Sequence, residues 1–327
     1  MILTIETPLK PRFDPNSKRL FRAVQFLFLG SILLLLWNLA DGEQAFDLLT
    51  DAAPLMLLAT LAALSLQTIF SALRWRIAAL QLGIHLKRRI ALREYFQSQV
   101  ANQSLPGGVL GDAGRVIRSS SQAGWIKSAQ AVVIERLAGQ IALFSMFFAA
   151  LSLSLIMERA NNWPSWLLIF SLSGLLVVVT VVFSALVISK TTRGSFSLLI
   201  SKAGTLIHLC LLASKVRLAQ IALSIGSATM NVLAFMFASI AIGAELRLLD
   251  AFVVVPIVLL AMLIPLSIGG WGFREGAAAV LFPLVGLTAT QGLAASVAFG
   301  LVFLVSSLPG LGITVLIAKD RDKRVVE

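Results

Sequence analysis

A chain of 327 residues with 58% hydrophobic residues, 13% charged residues and a mean hydropathy of +0.90 carries more apolar surface than a soluble domain of that length buries, since globular chains average roughly 25% charged residues. It reads as a polytopic membrane protein, and its net charge of +11 sits in short segments between hydrophobic runs, as in loops facing anionic lipid and not as in a nucleic-acid surface. The one cysteine, Cys210, excludes an internal disulfide, and His85 and His208 lie too far apart in sequence for a metal-ligand cluster, so no metal or cofactor is expected.

Residues 1–19 form a basic tail with Lys10, Arg12, Lys18 and Arg19. The apolar run Leu20 to Ala40 follows, long enough for a first span and with no small-residue cleavage pattern after it. Asp41, Glu43, Asp47 and Asp51 then make an acidic segment, read as extracytoplasmic. A second span covers about Ala52 to Leu73 and ends at Arg74-Trp75-Arg76, read as a cytoplasmic anchor with an interfacial aromatic. Residues 90–104 (Tyr95, Gln97, Gln99, Asn102, Gln103) are too polar to face lipid and too short to cross, so a re-entrant or internal helix is expected.

The third span, about Trp125 to Met157, carries Glu135-Arg136 within it, and the fourth runs from about Pro164 to Ile188. Ser195 to Ala213 has the pattern of an interfacial amphipathic helix. Further spans are expected at about Leu218 to Ile242, Ala251 to Leu263 and Leu293 to Ala318, with a half-span from Phe273 to Val285 and a basic tail at 319–327. All but four of the 27 Lys and Arg residues fall in segments read as cytoplasmic. The exceptions are Arg159 and Arg247 outside and Arg136 and Arg274 within the membrane. Both termini are therefore expected in the cytoplasm, in an integral cell (inner) membrane protein. The fold class is all-α: a membrane helix bundle of about seven or eight spans with re-entrant or broken helices.

Two stretches break the apolar pattern: Asn102 to Arg118 (NQSLPGGVLGDAGRVIR) and Ile264 to Gly276 (IPLSIGGWGFREG). Non-helical backbone at membrane depth is tolerated only inside protein or along a wet cavity. Each break is followed by a helix whose free N–H groups and positive dipole end suit an anion. Arg115 and Arg118 follow the first break and Arg274 follows the second, which suits a phosphate or phosphodiester headgroup. The matched placement, roughly 160 residues apart, suggests an inverted repeat. Simpler roles exist for these residues: Asp112 as a helix N-cap, Arg115 and Arg118 as positive-inside anchors, and Glu135-Arg136 and Arg274-Glu275 as mutually neutralising pairs.

The strings ALRWRIAALQLGIHL, NQSLPGGVLGDAGRVIR, ERLAGQIALF and IPLSIGGWGFREGAA resemble the transmembrane region of lysylphosphatidylglycerol synthetases, over roughly residues 20–318. That resemblance implies a flippase-like membrane domain. It also implies cavity-forming roles for Arg74, Arg76, Asn102, Pro106, Gly107, Gly108, Gly111, Asp112, Arg115, Glu135, Arg136, Gly269, Gly270, Gly272, Arg274, Glu275 and Gly276, to which Arg118 is added from its position. The cytosolic aminoacyltransferase domain of bifunctional members is not expected, because the chain ends nine residues after Ala318.

Three functions are weighed. The first is a translocase for an anionic phospholipid, a polyprenyl-phosphate-linked glycan or a related lipid. The second is a non-catalytic membrane partner of a glycosyltransferase or lipid-synthesis enzyme. The third is an integral membrane transferase, for which only Asp112 or Glu275 offers an acid and no nucleophile-base pair, metal site or nucleotide loop is visible. A transporter is favoured over an enzyme.

Overall fold

The computed structural model describes residues 27, 30, 31, 34, 35, 37–105, 108–157, 163–191, 195–264 and 269–325. The basic N-terminal tail, most of the first expected span, Pro106, Gly107, Arg159 and residues 265–268 lie outside these residues. The described elements are helices: α1 (Gly42–Thr50), α2 (Pro54–Gln81), α3 (Arg88–Ser104), α4 (Leu110–Ala123), α5 (Trp125–Ile156), α6 (Ser165–Thr191), α7 (Ser195–Ile207) with a π-turn (His208–Leu212), α8 (Arg217–Ala241), α9 (Leu248–Ala261), α10 (Phe273–Leu281) with a 3₁₀ turn (Phe282–Val285), and α11 (Ala289–Val325). Among them α2, α5, α8 and the Ala289–Gly312 part of α11 are long and apolar enough to cross a membrane. An all-α polytopic bundle is the result.

The acidic segment read as extracytoplasmic is the short helix α1, capped by Asp41, whose carboxylate accepts from the Gln44 amide at 3.2 Å. The larger departure concerns the sixth span. Its helix, α9, has only 14 residues, about 21 Å at 1.5 Å per residue, short of the ~30 Å hydrocarbon core. It is the counterpart of α3, so the second break sits between two half-helices just as the first does.

The counterpart relation is exact enough to be read bond by bond. After α2, Gly83 N donates to Leu80 O at 3.1 Å and Ile84 N to Ala79 O at 2.9 Å. After α8, Gly243 N donates to Ile240 O at 3.0 Å and Ala244 N to Ser239 O at 2.9 Å. Both are Schellman ends, with glycine in the left-handed region at φ 83° and 78°. Three buried residues alternate with exposed ones in each turn: Leu82, Ile84 and Leu86, then Ile242, Ala244 and Leu246. The chain therefore contains two copies of one unit, α2-α3-α4-α5 and α8-α9-α10-α11: a long helix, a hairpin of two half-helices, and a long helix. A methyl group at Gly243 would force an L-residue into left-handed geometry, at about 1–2 kcal/mol. Gly243→Ala is accordingly expected to lower the thermal midpoint of the detergent-purified protein. An unchanged midpoint would show that the turn relaxes without loss.

The copies are inverted. Helices α2 and α8 run antiparallel: Ala53 N meets Ala241 O at 2.7 Å, Ser71 Oγ meets Ser227 Oγ at 2.8 Å, and Gln220 Nε2 reaches Arg74 O at 3.5 Å. Each hairpin starts where its own long helix stops, so the two hairpins enter from opposite ends and their tips meet inside the bundle. Close crossings hold them. A Cβ on Gly111 would lie 1.9 Å from Ser98 O, which puts α4 against α3, and one on Gly292 would lie 2.4 Å from Ala278 O, which puts α11 against α10. Helix α11 also crosses α3, where a Cβ on Gly310 would lie 2.4 Å from Phe96 O.

The main core gathers Val232, Phe235, Val254, Phe282 and Phe299 of the second unit with Leu64 and Phe147 of the first. A smaller one collects Trp75, Ala78, Ile84 and Ala131 under Cys210. Helix α6 belongs to neither unit. Leu167 and Ser171 near its start are buried, whereas every residue from Leu172 to Val181 is exposed, as expected on a lipid-facing surface.

Candidate functional site

Where the hairpin tips meet there is a cavity of about 240 Å³, lined from α2, α3, α4, α5, α8, the end of α9 and, through Phe299 and Phe303, α11. Both tips reach it through glycines in left-handed geometry, Gly108 at φ 62° and Gly269 at φ 59°. A Cβ on Gly269 would lie 2.7 Å from Gln103 O, so the two tips are in direct backbone contact.

The charged wall comes from the first unit. Glu135, 1% exposed on α5, accepts from Arg74 Nη2 at 2.6 Å and from the Tyr95 hydroxyl at 3.2 Å, with Arg115 Nη2 at 3.5 Å from its other oxygen. Asp112 on α4 pairs with Arg115 at 2.5 Å and with Arg136, and accepts from Ser98 at 3.1 Å and Asn102 at 3.4 Å. On the lining itself Arg74 and Arg136 balance Asp112 and Glu135, and Arg115 behind it leaves the whole cluster one positive charge in excess. Arg115 is sandwiched between Trp75 (4.9 Å) and Tyr95 (4.4 Å). Trp75 is 1% exposed, so it is a packing residue under a cation and not an interfacial anchor.

The second unit repeats the plan without its excess charge. Arg274 is wholly buried, paired with Glu275 at 2.5 Å and bonded to Ser296 at 2.9 Å, with Trp271 and Phe299 at 5.0 and 5.4 Å. Gly139 and Gly300 hold matching places on α5 and α11. A Cβ on Gly139 would lie 2.8 Å from Arg74 Nη2, and one on Gly300 would lie 2.1 Å from Arg274 Nη2. Four residues earlier stand Glu135 and Ser296, each bonded to the arginine that its glycine admits. A carboxylate in one unit thus corresponds to a hydroxyl in the other.

The expected site residues fall into three groups. Arg74, Asn102, Gly108, Asp112, Glu135, Arg136, Gly269 and Gly270 line the cavity. Arg115, Arg274 and Glu275 lie behind it, fully buried in ion pairs, and Gly111, Gly272 and Gly276 form the helix starts beside them. Arg76 and Arg118 stand apart, Arg76 donating to Leu86 O at 2.7 Å and Arg118 pairing with Glu94. Pro106 and Gly107 are among the undescribed residues.

Asp112 is not the N-cap of α4: it sits two residues inside the helix, and its oxygens are taken by Ser98, Asn102 and the two arginines. Nor are the amides at the helix starts left for an anion at the positions that matter most. Gly111 N donates to Asn102 Oδ1 at 2.8 Å and Gly272 N to Glu275 Oε2 at 2.5 Å. The polar residues that sequence reasoning passed over are Gln67, Ser71, Gln140, Ser227 and Asn231. Their signal is modest but real: amides and hydroxyls recurring within helices long enough to face lipid.

The family model described as the lysylphosphatidylglycerol synthase TM region matches residues 22–310. No curated protein and no solved structure matches the chain. With the first repeat unit, the cavity and all of the second unit but the end of α11 inside the matched stretch, the chain belongs to the lysylphosphatidylglycerol synthase transmembrane-region family, which suggests a membrane-lipid-related function.

Proposed function

We propose that the protein is a translocase for a lipid with an anionic headgroup, and that the headgroup enters the cavity between the hairpin tips while its hydrocarbon chains stay in the bilayer. The observation that carries this reading is a small polar cavity at the junction of an inverted repeat, with Arg136 at its edge and an ion-pair cluster behind it that carries one positive charge in excess. At about 240 Å³ the space is smaller than the ~300–1,000 Å³ of ordinary ligand pockets, which suits a headgroup and leaves no room for acyl chains. Arg136 is the wall's contact residue, because its side chain keeps 37% exposure where Arg74 and Arg115 keep 4% and 2%. Inverted hairpins whose tips meet at mid-depth are also the arrangement through which transporters alternate access to one site.

Orientation follows from charge. The end of the bundle where α2 stops and α8 starts carries Arg76, Lys87, Arg88, Arg89, Lys215 and Arg217, and the opposite end carries Glu43, Asp47, Asp51 and Glu245. The positive-inside rule makes the first end cytoplasmic, which supports an inner-membrane protein with both termini inside. Reporter fusions at the two termini test that placement, and an external terminus would reverse it.

The function is tested by translocation of labelled phosphatidylglycerol in proteoliposomes. Arg136→Ala should slow it by about one to two orders of magnitude, the equivalent of losing a charge-assisted contact worth about 1.5–3 kcal/mol. Translocation by wild type no faster than in protein-free vesicles would remove the proposal.

A further inference from the structure

A second charged group lies on the first hairpin, nearer its base. Glu94 on α3 is 6% exposed, and each of its oxygens is held by a different arginine: Oε1 accepts from Arg93 Nη2 at 3.2 Å, and Oε2 pairs with Arg118 of α4. Two guanidiniums share one carboxylate, so the group carries one positive charge in excess. That excess is not sealed in as it is around Arg115, because the Arg93 and Arg118 side chains keep 39% and 44% exposure. Ile117, beside Arg118, is 71% exposed, and Leu110, two turns nearer the tip on the same face of α4, is 49% exposed. Large apolar side chains left open in this way mark a side of the helix that meets lipid.

Depth separates this pair from an ordinary interfacial anchor. The anchor of the hairpin is Lys87-Arg88-Arg89, all three exposed where α3 begins. Glu94 lies six residues beyond Arg88, and Arg118 five residues before Ala123, the last of α4, which puts both about 7–9 Å along the hairpin from its base at about 1.5 Å per residue. The headgroup layer on each side of the hydrocarbon core is roughly 5–8 Å deep, so the pair stands where headgroups meet hydrocarbon. Snorkelling would carry a lipid-facing arginine toward the base. Arg118 instead lies back over Gly114, where a Cβ would come within 2.9 Å of its Nη1. From there a polar line leads inward: Glu94, Ser98 and Asn102 follow at four-residue steps on α3, and the latter two donate to Asp112, the partner of Arg136 at the cavity edge.

We infer that Arg93 and Arg118, clamped by Glu94, form a second anion site, outside the cavity, that takes the phosphate of a lipid lying in the leaflet at the base of the first hairpin. Guanidiniums grip phosphate oxygens through paired, charge-assisted hydrogen bonds, and one phosphodiester cancels the charge that Glu94 leaves over. The chains of the same lipid lie against Ile117 and Leu110. Arg118 is six residues from Asp112, about 9 Å along α4, so the site is a staging position for the cavity. That role, and the leaflet's being the cytoplasmic one, rest on the translocase and orientation readings above; the binding itself does not.

The test puts a benzophenone photocross-linker on Ile117→Cys, in a Cys210→Ser background that removes the chain's one other thiol. The full chain is held in maltoside micelles, which contain no phosphate of their own, and offered radiolabelled phosphatidylglycerol or diacylglycerol with the same chains. Phosphatidylglycerol should be captured about tenfold more, the scale of one charge-assisted contact. Replacing Arg93, Glu94 and Arg118 together by Gln removes the excess charge without stranding a buried carboxylate, and should bring the two captures level. Should that triple variant not fold, Arg118→Lys carries the same test, since it keeps the charge, loses the fork and should lower the preference severalfold. Equal capture of both lipids before any of these substitutions, or a preference that survives them in folded protein, overturns the inference. Millimolar inorganic phosphate should leave the capture in place, and its loss would assign the pair to the free ion and overturn the lipid site. Capture needs no movement of lipid, so a failed translocation assay leaves this result standing, and a failed capture leaves translocation through the cavity to be judged separately.

Discussion

Glu275→Ala is expected to destabilise the protein by about 3–5 kcal/mol, the usual cost of leaving one partner of a buried ion pair without the other. Arg274 and Glu275 both have 0% exposure, so no water reaches the orphaned guanidinium. The carboxylate also accepts from Ser296 at 3.1 Å and from the Gly272 amide at 2.5 Å, and the start of α10 loses its cap with the same substitution. A double change that removes both charges, Arg274→Met with Glu275→Leu, should recover most of the loss, because well-packed apolar pairs replace buried ion pairs at little net cost. Thermal unfolding in detergent measures both variants. A single mutant as stable as wild type would mean that water enters the second unit, and the sealed pair would have to be redrawn.

Arg115→Lys should be damaging although it keeps the charge. The guanidinium spans two carboxylates, with Nη2 at 2.5 Å from Asp112 and 3.5 Å from Glu135, and its flat face lies between Trp75 and Tyr95. An ammonium is a compact point charge that cannot fill that slot or bridge both acids. The lost contact is worth about 1.5–3 kcal/mol, and Asp112 then stops holding Arg136 at the cavity edge. Translocation at equal folded amounts should fall about tenfold or more. Arg247→Lys, at the exposed start of α9, is the control that should behave like wild type. If Arg115→Lys also transports like wild type, the buried cluster does not position the cavity wall.

The first hairpin was legible in the sequence because α3 is polar: Gln99, Asn102 and Gln103 have no place against lipid. Its partner α9 was read as a span because Leu248 to Ala261 is apolar throughout, and hydropathy does not distinguish a helix packed in protein from one packed in lipid. Its length and its turn carried the missing signal. Gly83-Ile84-His85-Leu86-Lys87 and Gly243-Ala244-Glu245-Leu246-Arg247 share a glycine, a leucine and a cation at the same spacing. Of the three arginines of the cluster only Arg136 is clear as an intramembrane charge, and their division of labour is not legible. Whether Arg115 faces the cavity or stands behind it depends on Trp75 and Tyr95, which lie 40 and 20 positions away in the chain.

Helix α6 joins the two units and contributes little to either beyond its first turns. Its effect is one of parity. A single helix between two like-built units carries the chain from the end of α5 to the opposite end of the bundle, where α8 starts, so the second unit runs head-down relative to the first, and only then do the tips come together. Removing that helix would bring both hairpins in from one side, leaving every residue of the cavity present and no cavity. Between Leu172 and Val181 α6 is thus free to exchange one apolar side chain for another, because what it supplies to the fold is a reversal of direction and not a surface.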